Sequence, residues 1–299
     1  MKSSLLSLTF LLLWGPAAIR AAEFETRTNI EFAQVDGVSL KYDAFLLPGK
    51  SHPALIYVHG GGFTGGDKES INTSFAEIRD HCLAAGISVL SINYRLAPQF
   101  PYPAATNDVQ TAIAFIKSHA AELRLDPERL ALIGDSAGGM IVSHAGAKYA
   151  PGNRVKTVIS MYGEHDFVLR LSEEPCAMDG YTKKRPAGGC ISGGMAAFFG
   201  FAEATTAQHQ EVVRDATAVT HVHKRMPSYL LVHGTRDYGV PIEQSHSMQQ
   251  AIHRVGAECK MIAVVGGGHG HTGWNQDHQR HYLAAIMNWL KEKLQPQTK

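Results

Sequence analysis

Along the chain, short continuous apolar runs alternate with stretches of helical period. The runs fall at 54–58, 87–92, 130–133, 155–161, 229–232 and 261–265. A strand that is apolar at every position has both faces covered, so these runs predict the interior of a largely parallel sheet. Between them, Ile71, Phe75, Ile78 and Cys82 step by four, three and four, and Val109, Ala112, Ile113 and Ile116 form a second stripe. Met248, Ala251 and Ile252, then Tyr282, Ile286, Trp289 and Leu290, form two more. Ahead of the first run, 28–35 and 38–46 are β-rich and flank Asp36-Gly37, a strong hairpin signal. The pattern predicts an α/β fold: about eight strands, mostly parallel, with helices on both faces and an antiparallel hairpin at one edge.

One interval breaks the rhythm. About sixty-five residues, 163–227, separate the sixth predicted strand from the seventh, and an insertion of that length needs structure or function of its own. It holds Cys176, Cys190 and the apolar run 195–201. Phe198, Phe199 and Phe201 read either as an acyl or aryl pocket or as the insertion's own core.

Residues 1–22 read as an address. Lys2 is followed by an apolar run from Leu5 to Trp14, the break Gly15-Pro16, and small residues up to Ala22. That order predicts a secretory signal peptide with an apolar region too short to span a bilayer, leaving a single domain at 23–299 in a secreted or periplasmic setting. Export permits disulfides. Cys82 and Cys259 fall in apolar contexts and are expected to be buried thiols. Cys176 and Cys190 sit in a polar, Gly-rich stretch, where a bridge would be worth about 3 kcal/mol.

Composition narrows the classes. Charged residues are 18% and the hydrophobic set 44%, which excludes a disordered chain. Lys and Arg number 28 against 27 Asp and Glu, a balance with no footprint for nucleic acid or an anionic membrane. Nothing in the pattern signals an oligomeric state. The sixteen histidines invite a metal site, but the close pair His269 and His271 lacks an H-E-x-x-H helix or a nearby carboxylate or Cys cluster. No metal or organic cofactor is expected.

The chemistry lies at strand ends. Gly134-Asp135-Ser136-Ala137-Gly138 matches G-x-S-x-G directly between a predicted strand and a helix, the context in which a sharp elbow exposes a nucleophilic serine. His59-Gly60-Gly61-Gly62 follows an earlier strand, and backbone N–H groups there, with that of Ala137, suit an oxyanion hole. His59 itself is expected to hold the loop. An elbow serine needs an acid and then a histidine downstream. Asp237 ends the strand at 229–232, whereas Asp215 follows no strand. His269 follows the last strand in a glycine-rich loop, with His271 as the alternative.

With these segments in view, the sequence resembles the α/β-hydrolase superfamily, and within it the esterases grouped with hormone-sensitive lipase and the related bacterial feruloyl and acetylxylan esterases. The resemblance rests on HGGGF at 59–63, GDSAGG at 134–139, HGTRD at 233–237, GGGHG at 266–270, and the NYRLAP and FPYPAA segments at 93–98 and 100–105. It implies a Ser136–Asp237–His269 triad, an oxyanion hole from Gly61, Gly62 and Ala137, and hydrolysis of short acyl or aryl esters, free or linked to a polysaccharide. Phe63, next to the oxyanion loop, is the candidate for the substrate pocket wall. The stretch from Glu23 to His59 leaves no room for the N-terminal helical cap of that group, which shifts the expectation from long-chain lipids toward plant-polysaccharide esters. A serine peptidase on the same fold and a non-catalytic binding protein are the alternatives.

Overall fold

The six apolar runs lie side by side; the first five are buried at nearly every position, as a sheet covered on both faces requires, whereas the last forms an edge strand that leaves Ala263 and Val265 exposed. The structure is a computed structural model, and it describes residues 23–172 and 193–296. The expected signal peptide and the Cys176–Cys190 pair lie outside the described residues. The strands are β1 (Glu25–Val35), β2 (Val38–Leu46), β3 (His52–Val58), β4 (Ser88–Ile92), β5 (Leu125–Asp135), β6 (Thr157–Met161), β7 (Ser228–Gly234) and β8 (Cys259–Val264). They form one sheet in the order β1-β2-β4-β3-β5-β6-β7-β8. β2 pairs antiparallel with both β1 and β4, and every later pairing is parallel. This is the α/β-hydrolase fold. The hairpin turns where expected: Asp36 and Gly37 both take positive φ, 48° and 77°, as a tight turn between twisted strands requires.

Helices α1 (Ala76–Ala84), α2 (Ala104–Ser118), α3 (Ala137–Ala147), α4 (Phe167–Ser172), α5 (Gly193–Phe199), α6 (Ala207–Ala216), α7 (Glu243–Arg254) and α8 (Gln276–Lys293) cover the sheet. Val109, Ile113, Met140, Ile141, Met248 and Ile252 bring α2, α3 and α7 onto one face. Ile78, Cys82, Tyr282, Ile286 and Leu290 bring α1 and α8 onto the other. Cys82 and Cys259 are buried free thiols.

Two details depart from the sequence pattern. The stripe Ile71, Phe75, Ile78, Cys82 is buried throughout but is not one helix. A 3₁₀ turn, Lys68–Asn72, gives way at Phe75 to α1. Between them the Thr73 and Ser74 hydroxyls both donate to the Ser70 carbonyl, a local alternative to the helical ladder. β5 starts at Leu125, five residues before the apolar run at 130–133, and takes in Pro127. Pro127 sits where the pairing with β3 is irregular, the place a sheet tolerates it.

The segment leading to α1 is anchored by charge. Lys68 Nζ lies 3.0 Å from Asp43 Oδ2 on β2, and the two side chains are 4% and 0% exposed. Asp43 Oδ1 also accepts from the Asn29 amide at 2.7 Å. Removing one member of a buried pair strands the other charge. Lys68→Met should therefore lower unfolding free energy by about 3–5 kcal/mol in urea titration. Lys68→Met with Asp43→Asn should recover part of that loss.

Candidate active site

β5 runs into α3 through a single residue. Ser136 occupies that corner with φ 50° and ψ −119°, a backbone rarely adopted by residues with a Cβ. Its amide donates to the Met161 carbonyl at the end of β6 at 2.9 Å. Packing around the corner explains its glycines. A Cβ on Gly134 would lie 2.4 Å from the Gly138 carbonyl oxygen, and one on Gly138 would lie 2.2 Å from that of Val58.

The loops after β7 and β8 bring the expected acid and base to this corner. His269 Nε2 lies 2.9 Å from Ser136 Oγ, and His269 Nδ1 lies 2.8 Å from Asp237 Oδ2. A carboxylate only accepts, so Nδ1 carries the proton and Nε2 is left to accept from the serine hydroxyl. Asp237 Oδ1 accepts from the Gly239 and Val240 amides at 2.9 and 2.8 Å. Burial raises the Asp237 carboxyl pKa, but the imidazole N–H groups of His233 and His269 and the Val240 amide outweigh it and bring the value down to about 2.

His271 is placed elsewhere. It is buried, donates from Nε2 to the Ser74 carbonyl at 2.8 Å, and accepts at Nδ1 from the Tyr162 hydroxyl at 2.8 Å. Both ring nitrogens are thereby engaged away from Ser136. Tyr162 also presents its ring edge-on to His269, with centroids 5.1 Å apart. Asp215 ends α6, where it bonds Lys148 and Tyr102.

The glycine loop after β3 is tied to the same corner. Asp135 Oδ1 accepts from the Tyr57 hydroxyl and the Gly60 amide, each at 2.9 Å. His59 is 1% exposed, stacks on Tyr94 and donates from Nδ1 to the Gly60 carbonyl, the loop-holding role expected of it. Gly61 and Gly62 are exposed. Among the described residues, the N–H groups of Gly61, Gly62 and Ala137 have no hydrogen-bond partner.

Phe63, expected at the pocket wall, is 5% exposed and stacks on Phe198 with centroids 4.2 Å apart. Phe198 and Phe199 are likewise buried, so that cluster is core.

A family model, BD-FAE, matches residues 46–252. The chain belongs to the BD-FAE family. It is 29% identical over 257 residues to the esterase LipC of Mycobacterium tuberculosis, across 81% of this chain and 59% of LipC. The chain thus spans little more than half the length of that relative. A truncated form of a carbohydrate esterase from gut microbiota superimposes with a TM-score of 0.74 at 23% identity, covering 93% of this chain and 99% of that one. An acetyl ester-xyloside bifunctional hydrolase from Caldicellulosiruptor lactoaceticus gives 0.70 at 19% identity, over 92% and 98%.

In this BD-FAE member a further residue, His233, the first of the HGTRD segment, adjoins the acid without being marked by the strand and motif pattern. Its ring is fully buried. Nε2 donates to the Val240 carbonyl at 2.8 Å and lies 3.4 Å from Asp237 Oδ2, while Nδ1 accepts from the Ser245 hydroxyl at 2.7 Å. The available signal was its spacing, four residues before the acid at the end of a buried strand. The lowered Asp237 pKa fixes a pH dependence. A carboxyl whose pKa drops on folding adds stability above its ordinary value, and that stability is lost as the pH falls through the folded value. The difference in Tm between wild type and Asp237→Asn should therefore narrow as the pH falls from about 3.8 to about 2.

Proposed function

We propose that the chain is a serine carboxylesterase, exported from the cell, that hydrolyses short acyl or aryl esters of the acetyl and feruloyl type. What carries the reading is the hydrogen-bonded series Ser136 Oγ–His269 Nε2 and His269 Nδ1–Asp237 Oδ2, at 2.9 and 2.8 Å, on a strained elbow. In the proposed mechanism, Ser136 Oγ attacks the ester carbonyl carbon and His269 Nε2 takes its proton. Asp237 holds the ring and stabilises the imidazolium. The amides of Gly61, Gly62 and Ala137 receive the charge on the carbonyl oxygen. The carbon–oxygen bond to the alcohol breaks as His269 returns the proton to the leaving oxygen. Water, deprotonated by His269, then releases the acid and restores Ser136.

Membership of the BD-FAE family and the esterase relatives favour an ester over an amide substrate. The two carbohydrate-directed structural neighbours favour an alcohol that is part of a polysaccharide. Ser136→Ala should lower kcat on p-nitrophenyl acetate by at least about 10⁴-fold with Tm unchanged. Undiminished hydrolysis would remove Ser136 from the mechanism. Across p-nitrophenyl esters of rising chain length, methyl ferulate, acetylated xylan and a peptide anilide, the acetyl and feruloyl substrates should lead. Cleavage of the anilide alone would make the chain a peptidase.

Export has its own check. The N-terminus of the chain recovered from the medium or periplasm should begin near Glu23, and a recovered chain beginning at Met1 would contradict it.

A further inference from the structure

The loop that carries Gly61 and Gly62 follows an unusual backbone path. Gly61, Gly62 and Phe63 have φ of 121°, 59° and 68° in succession. Glycine takes such values freely, whereas a bulky aromatic residue does so only when its surroundings impose it. Part of that imposition is backbone. The Thr64 and Gly65 amides donate to the Gly61 carbonyl at 3.2 and 3.1 Å, and the Phe63 carbonyl accepts from Ala97 at 3.0 Å. The rest comes from the insertion. The Phe63 ring lies on that of Phe198 in α5, centroids 4.2 Å apart and planes 28° from parallel. Phe198 is itself fixed: its ring packs against Tyr102, Phe167 and Phe199, and its carbonyl accepts from the Tyr102 amide at 2.6 Å. α5 meets the loop at a second point, since a Cβ on Gly194 would lie 2.7 Å from the Gly62 carbonyl oxygen.

The Gly61 and Gly62 amides have no acceptor among the described residues to orient them. Their direction follows from the anchoring of the residues on either side. Asp135 holds the Gly60 side through its amide, and Phe198 holds the Phe63 side through its ring.

We propose that Phe198 is a positioning residue for ester hydrolysis: its ring, stacked on Phe63, holds the Gly61 and Gly62 amides in the orientation that receives the oxyanion. This rests on the reading of Ser136 as the nucleophile of an esterase. Oxyanion donors act chiefly on the transition state, so a displaced loop lowers kcat and leaves KM nearly unchanged.

Ester hydrolysis by wild type, lost in Ser136→Ala, tests the underlying reading by itself. With that established, Phe198→Leu keeps apolar bulk and removes the ring. It should lower kcat on p-nitrophenyl acetate by about tenfold to hundredfold, with KM within about threefold. Phe63→Leu attacks the same stack from the loop side and should give the same split, which keeps the test decisive if Phe198→Leu fails to fold. Phe201→Leu loosens the same aromatic cluster through Phe199 without a ring contact to Phe63, and should lower Tm while leaving kcat within about twofold. An unchanged kcat in a folded variant of the stack, a loss confined to KM, or an equal kcat loss in Phe201→Leu would overturn the proposal.

Discussion

The backbone of Ser136 sits in a region that costs about 1–3 kcal/mol, and it persists because three strands converge on it. β6 supplies the Met161 carbonyl that takes its amide, and β3 crowds Gly138 from the Val58 carbonyl. β5 supplies the residue before it, Asp135, whose carboxylate reaches back to Tyr57 on β3 and to the amide of Gly60. A serine placed this way stands clear of the helix that follows it. The partners of Ser136 come from the last two strands in the sheet order, beyond β6: β7 and β8 end in the loops that bear Asp237 and His269. The parallel register makes these loops open on the same edge, so residues a hundred positions apart meet within hydrogen-bond distance.

That dependence explains what could be read from the chain. Buried parallel strands leave continuous apolar runs, and a tight elbow leaves glycines at fixed offsets, because both are steric demands on residue type. The succession of strands along the chain and the positions of Ser136, Asp237 and His269 follow from them, whereas the order of the strands within the sheet does not. Side-chain direction leaves no such mark. Phe63 adjoins an exposed loop, yet its ring turns inward and packs onto Phe198 of α5. His271 lies two residues from His269 and points to Ser74, a difference set by the Gly270 turn and the Tyr162 hydroxyl. The break between Ile71 and Ile78 went unread because Thr73 and Ser74 compete locally for backbone while the apolar spacing stays helical.

The histidines show how one residue type divides by environment. His269 has a side chain 36% exposed, open enough for the proton transfers of the proposed mechanism. His165 and His144 are buried, and burial lowers their pKa values to about 3 and about 4, so both stay neutral at ordinary pH. His59 and His233 lend ring N–H groups to the carbonyls of the loops that carry Gly61 and Asp237. A neutral imidazole suits this work because it offers one donor and one acceptor in a rigid plane. Several of the sixteen histidines therefore shape loops around the one that faces Ser136.

The two amides at Gly61 and Gly62 complete the physical picture. A buried amide without a partner costs free energy, whereas one exposed to solvent carries little penalty. The loop exposes both and keeps its strain at Phe63, beside them, where apolar packing can hold it. The stability lost to a left-handed aromatic residue is offset by the buried faces of Phe63 and Phe198, while the Gly61 and Gly62 amides stay open to solvent, as the proposed oxyanion role requires. Rigid, unpaired donors cannot come from a flexible glycine loop alone. They require anchors at both ends, and here one anchor is the Asp135 carboxylate inside the fold while the other is an aromatic ring from the insertion.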